Sequence, residues 1–134
     1  MKRLIILLIF ILAISSCQVL HPDADSPKLG NTKWRITSIK QRPTNLKDNG
    51  FITFDEKDGK IAGQAACNTF FGDYVIVRKT ITFGSISSTE MFCEGLMDEE
   101  HQILSNLENV KRFEIKADML YLYSSDELVL TFKR

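Results

Sequence analysis

The sequence is poor in residues that interrupt a fold, with three prolines and seven glycines in 134 residues. That excludes a collagen-like or Pro/Gly-rich low-complexity chain, and no internal repeat marks a solenoid or a propeller. Histidine occurs twice and tryptophan once. Neither charge dominates, with 17 basic residues against 17 acidic ones. No basic stripe stands out, which argues against nucleic acid as a partner. Three cysteines are too few for the disulfide scaffold of a small secreted domain. No apolar run approaches the roughly 20 residues that a membrane-spanning helix needs.

A shorter apolar run, Leu4 through Ala13, follows the basic start Met1-Lys2-Arg3, and Ile14-Ser15-Ser16-Cys17 closes it. Basic start, apolar stretch and small residues at a cut make a secretory leader. A cut directly before a cysteine resembles the lipobox of bacterial lipoproteins. The resemblance implies that residues 1–16 are a lipoprotein signal peptide and that Cys17 becomes the lipid-bearing first residue of the mature chain. The expected place is the bacterial cell envelope, held to a membrane through the N-terminal lipid. Gln18, where an Asp would signal retention, favours the outer membrane over the inner. Residues 17–32 carry Pro22, Pro27 and many polar side chains and read as anchor and flexible tether, with His21 solvated in it. Residues 33–134 are long enough for one domain.

If Cys17 carries lipid, Cys67 and Cys93 remain as an even pair. An oxidising envelope favours one disulfide between them. The alternative is two separate buried thiols packed as small hydrophobes.

The domain reads as short strands parted by turn signals. Trp34–Ile39 alternates, Gln41–Asn49 is a polar loop with Pro43, and Gly50–Phe54 is a strand. Asp55-Glu56-Lys57-Asp58-Gly59 is a hairpin turn, answered by Lys60–Gln64. Asp73–Arg78 and Thr80–Ile86 form a second strand pair. Met97–Asn109 breaks the pattern: Met97, His101, Leu104 and Leu107 recur at helical spacing beside Ile103, and Asp98, Glu99 and Glu100 occupy the first turn, where the helix dipole favours acids. His101 is expected to be a partly buried residue of that stripe. Three more strands follow, around Phe113–Ile115, Leu120–Leu122 and Leu128–Phe132. The expected fold is mainly β (α+β), a small antiparallel open barrel or curled sheet of about eight short strands with one packed helix.

These residues carry a family resemblance. Trp34-Arg35-Ile36-Thr37-Ser38-Ile39, the run Gly63-Gln64-Ala65-Ala66-Cys67-Asn68 through Gly72-Asp73-Tyr74, Ser88-Thr89-Glu90-Met91-Phe92-Cys93, Glu100, and the closing Leu128–Phe132 strand resemble the META domain, the family of HslJ-like bacterial lipoproteins. The family usually has Gly where this chain has Ala66, and often Ala where it has Phe92. The resemblance implies a small antiparallel barrel with one helix and a motif loop formed by Gly63, Cys67, Asn68, Gly72, Thr89 and Met91. It also implies an envelope protein of heat-shock or stress-response type, with no enzymatic reaction attached.

No catalytic set is visible. Cys93 and His101 lack a third group to orient them, and Cys67, Cys93 and His101 lack a fourth ligand for a metal. Gly-rich phosphate-binding spacing is absent. Neither a metal nor a cofactor is expected. Within Gly63–Gly72, Asn and Gly also have the plain reading of a strand–loop–strand corner whose amides Asn68 satisfies. The expected activity is binding, either of another envelope protein or of an apolar ligand or lipid inside the barrel. Trp34, Phe54, Phe83, Leu122, Leu130 and Phe132 would line the interior. Tyr121 and Tyr123, on the opposite strand face, are either a partner surface or cross-strand packing.

Overall fold

The computed structural model describes residues 28–134; the leader, Cys17, His21 and the tether as far as residue 27 lie outside the described residues. Period-two patterning gives strand β1 (Trp34–Ile39), which turns Trp34, Ile36 and Ile39 inward. Alternation slips by one because the register against the last strand shifts between Ile36 and Ser38, a bulge that re-aims the following side chains. The short return β2 (Arg42–Pro43) and one 3-10 turn lead to β3 (Gly50–Asp55). The expected hairpin follows, with Gly59 at φ +62 before β4 (Lys60–Ala65). Strands β5 (Asn68–Val77), β6 (Thr80–Phe83) and the two-residue β7 (Ser87–Ser88) come next, then helix α1 (Met97–Glu108). Strands β8 (Arg112–Lys116), β9 (Met119–Ser124) and β10 (Glu127–Lys133) end the chain.

Every pairing is antiparallel, and eight strands run in the order β1-β3-β4-β5-β6-β8-β9-β10. Strand β10 then pairs back onto β1, from Arg35 opposite Lys133 to Ile39 opposite Leu130. The small barrel with one helix is therefore as expected, but it is closed rather than open, which removes most free edges. The narrowest seam is β6–β8, where Thr80 opposite Arg112 is the single paired position. Among the described residues no helix is long and apolar enough to cross a membrane.

The barrel is filled by its own side chains. All six expected lining residues are buried, joined by Ile52, Phe70 and Leu120. Trp34 satisfies its one polar atom by donating from Nε1 to the Leu29 carbonyl at 3.0 Å, as a buried indole requires. The gap among Ile36, Phe70, Ile103 and Phe132 leaves no room for a water molecule. Leu29 is itself a core residue, so packing on the barrel begins before residue 33.

Helix α1 packs on β4, β6 and β10 through Ile103 and Leu107. Its inner face runs through Glu100, Ile103 and Leu107, not through Met97 and His101. His101 is exposed, because it stands about 100° around the helix from Glu100. Tyr121 and Tyr123 are half-buried. Arg112 stacks 3.8 Å over the Tyr123 ring, and the Tyr123 hydroxyl donates to Glu114 at 3.3 Å. Packing along the sheet therefore accounts for Tyr123.

Candidate functional site

The family-motif residues converge where β4 turns into β5. The turn is shorter than a loop: Ala66 and Cys67 alone connect the strands, with Ala66 in the left-handed region at φ 60. Asn68 opens β5 and is 1 % exposed. Its amide nitrogen donates to the Met91 carbonyl and to Glu100 Oε1, both at 2.8 Å. Its Oδ1 accepts from the Thr89 hydroxyl and the Met91 backbone N–H, again both at 2.8 Å. Two donors and two acceptor positions are thus all used. Asn68 does satisfy amides, but those of the facing 89–91 segment rather than of its own turn.

Glu100 completes the arrangement from the first turn of α1. Its Oε2 accepts the backbone N–H groups of Cys67 at 3.2 Å and of Asn68 at 2.7 Å. Three N–H donors thus meet one buried carboxyl, which an acceptor-only carboxylate answers with charge-assisted bonds. Sequence reasoning placed Glu100 as a dipole-compensating acid and missed this role. The available signal was its spacing to Ile103 and Leu107, three and seven residues on, which puts it on the buried face.

Cys67 and Cys93 are joined by a disulfide across a Cα–Cα distance of 5.8 Å, well inside the range such a bridge spans. Of the alternatives left open by the sequence, the bridge is the one found. Gly63 lies in β4 directly opposite Phe70. A Cβ on it would stand 2.2 Å from the Phe51 carbonyl oxygen and 2.6 Å from Phe70 Cζ. The missing side chain lets the phenyl ring lie against the strand. Gly72 is farther along β5, where a Cβ would meet the Ser85 carbonyl oxygen at 3.0 Å; it belongs to the strand and not to the loop site.

Asn68 and the disulfide hold the segment from Thr89 to Cys93 against the barrel. Two large side chains on it face solvent: Met91 is 60 % and Phe92 81 % exposed. Glu90 and Glu94 flank the segment's tip in sequence and Asp98 follows in the first turn of α1, all exposed. Cys93 has no thiol to ionise, and His101 is on the outside of α1. Among the described residues no group of three His, Cys, Asp or Glu side chains is placed to hold a metal ion. What the geometry offers is a rigid, apolar, acid-rimmed projection.

A profile of the META domain family matches residues 27–134. Among solved structures, an NMR structure of a protein from Burkholderia xenovorans is similar at TM-score 0.66 and 22 % identity, covering 85 % of this chain and 96 % of that one. A second NMR structure is similar at TM-score 0.62 and 24 % identity, covering 78 % and 90 %. The crystal structure of a DUF4847 family protein from Bacteroides vulgatus is similar at TM-score 0.59 and 13 % identity, covering 78 % and 93 %. Likeness at these identities is likeness of fold. No curated protein matches the chain. With a match that covers the whole described barrel, the helix and the Cys67–Cys93 loop, the chain belongs to the META domain family.

Proposed function

We propose that this protein is a non-enzymatic, lipid-anchored module of the bacterial envelope that docks on another protein through the Thr89–Cys93 loop and thereby supports stress tolerance. The observation that carries the reading is Phe92, 81 % exposed beside Met91 at 60 %, on a segment fixed by a disulfide and by Asn68. An aromatic anchor held rigid loses little conformational entropy on binding. Its acidic surround suits a partner with an apolar pocket and a basic rim. Where the family often has a small residue, this chain places the most exposed large apolar side chain among the described residues. A barrel filled by its own side chains favours docking at the surface over carriage of an apolar ligand or lipid inside. The lipobox-like Ile14–Cys17 segment supplies the anchor.

The test replaces Phe92 with a photo-crosslinking phenylalanine analogue in the native, acylated chain, with Asp126, exposed on the β9–β10 turn, as the control position. One reproducible adduct from position 92, none from 126, and loss of that adduct with Met91→Ser are expected. Equal or absent adducts at both positions defeat the docking reading. Release of a Cys17→Ser chain from membranes checks the anchor separately.

A further inference from the structure

Strand β5 carries a second exposed apolar group at its other end. Pairing with β4 stops at Lys60 opposite Asp73, whereas pairing with β6 continues from Tyr74 to Val77. The last part of β5 therefore runs past β4 with its β4-side edge free among the described residues, while β6 on its other side is held to β8 through Thr80 opposite Arg112 and the Lys79 carbonyl accepting the Phe113 N–H. The tip of this β5–β6 hairpin is Val75-Ile76-Val77, with Val75 61 % and Val77 64 % exposed, followed by the turn residues Arg78 and Lys79, both exposed. Neither cation forms an ion pair among the described residues. Among the acids of this end, Asp73 pairs with Lys60, Glu56 accepts the Gly30 N–H and Asp55 the N–H groups of Lys57 and Asp58, while the Asp58 side chain is exposed.

The chain also enters the described structure at this end. Gly30 is bonded to Glu56 in the β3–β4 turn, and Gly59 of that turn accepts the Tyr74 N–H at 2.9 Å. Lys28 and Lys33, both exposed, flank that entry. The acid-rimmed Met91–Phe92 loop lies at the opposite end of β5, ten residues along one strand, or about 30 Å away at the usual strand rise. Arg78, Lys79, Lys28, Lys33 and an apolar tip thus share the end from which the tether leaves with the acids of the β3–β4 turn, and Glu90, Glu94 and Asp98 lie towards the other.

We propose that the β5–β6 hairpin is a membrane-contact element: Val75, Ile76 and Val77 enter the interface of an anionic bilayer while Arg78 and Lys79 meet its headgroups. Apolar side chains next to unpaired cations are what such a surface attracts. An anionic bilayer repels the acidic loop, so the same contact aims Phe92 away from the membrane. The proposal rests on the anchored reading for its setting, not for its chemistry.

The full acylated chain is placed in nanodiscs of phosphatidylglycerol or of phosphatidylcholine, each doped with a gadolinium-chelating lipid, and read by amide NMR. Broadening is expected at Val75–Thr80 before Thr89–Cys93, and only in the anionic discs. Substituting Arg78→Ser and then Lys79→Ser is expected to lower hairpin occupancy by about fivefold per cation removed. Both lie on an exposed turn, and unchanged shifts for the buried Trp34 and Leu122 amides verify the fold. Equal broadening at both ends, broadening led by the loop, or no difference between the two lipids overturns the proposal. So does a hairpin that is silent on lipid but shifts when a soluble envelope fraction is added, since its occupant is then a protein. Intact mass of the same sample reports the acyl chains, so a missing anchor and a silent hairpin are read apart.

Discussion

Asn68 links three segments joined by little backbone pairing beyond Ser87–Thr89 against β5: the β4–β5 turn, the 89–91 segment and the start of α1. Asn68→Ala would leave the Glu100 oxygen short of a partner in a buried place, and the Thr89 hydroxyl and both Met91 backbone groups short of one in a partly buried place. The expected loss is about 2–4 kcal/mol, larger than that of one ordinary hydrogen bond because the orphaned groups stay desolvated. Denaturant unfolding of the oxidised protein measures it, and a loss under about 1 kcal/mol would mean that the disulfide alone fixes the segment. Glu100→Gln tests the carboxyl without changing its size: its amide would turn a donor toward N–H groups, with an expected loss of about 1–3 kcal/mol. Gly63→Ala is worse placed than either, because its methyl meets backbone at 2.2 Å and the strand itself must move. Ala66 is a subtler position. Relief of left-handed strain by Ala66→Gly, about 1–2 kcal/mol, is offset by a lost buried methyl of about 0.8 kcal/mol and by glycine's entropy of about 0.5–1 kcal/mol. The substitution is therefore expected to be near neutral, which explains how alanine can stand where the family usually has glycine.

At the level of elements, strands were legible because alternation and Asp-Gly-type turns are local signals, and β3, β4, β9 and β10 fall where the pattern puts them. Strand β5 was not fully legible: it begins at Asn68, since pairing with β4 is set by a two-residue turn that the Gly63–Gly72 composition makes look longer. Helix α1 was found, but its inner face was misassigned by one residue's rotation. A carboxylate on the buried side reads locally as a surface acid, and only the distant N–H groups of Cys67 and Asn68 reveal otherwise. The disulfide is likewise a long-range fact, joining positions 26 apart. Replacing both cysteines by serine is expected to cost about 3–4 kcal/mol on the chain-entropy account, read as a lower denaturant midpoint at unchanged slope. Strand β8 offers a pH test. Lys116, bonded to Glu114 at 3.1 Å, holds the Glu114 carboxyl below its ordinary 4.5, helped by Tyr123 and Arg112 and opposed by partial desolvation. A depressed folded value means that the contribution is present above the ordinary carboxylate range and lost as pH falls through the folded one. Carboxyl-carbon NMR should find the Glu114 midpoint below 4.5, and Lys116→Ala should raise it.

For the whole molecule, the decisive contact is the one farthest apart in sequence: β10 closing onto β1. Alternating apolar residues predict a barrel-like sheet, but closure depends on accumulated twist and stagger around eight strands, which no local pattern encodes. Closure also has a kinetic consequence. Strands from the two ends of the domain must meet to complete the barrel, and such non-local pairing makes β-barrels fold in milliseconds to seconds. Phe132 sits at that junction, opposite both Ile36 on β1 and Leu120 on β9, and is 2 % exposed. Phe132→Ala should cost about 3–5 kcal/mol, because close-packed walls cannot collapse into the space a phenyl ring leaves. Trp34 is the single tryptophan and is 0 % exposed on β1, so its fluorescence reports burial of the strand that β10 closes. Stopped-flow refolding of the oxidised protein should therefore show one dominant Trp34 phase in the millisecond-to-second range. If closure forms part of the transition state, Phe132→Ala slows that phase; if β1 is already buried by β3 before β10 arrives, the substitution speeds unfolding and leaves the phase unchanged. With β3 meeting β1 at two paired positions, Trp34 opposite Ile52 among them, against four for β10, closure is the larger share of what holds β1 in the wall, and the slowed phase is the expected result.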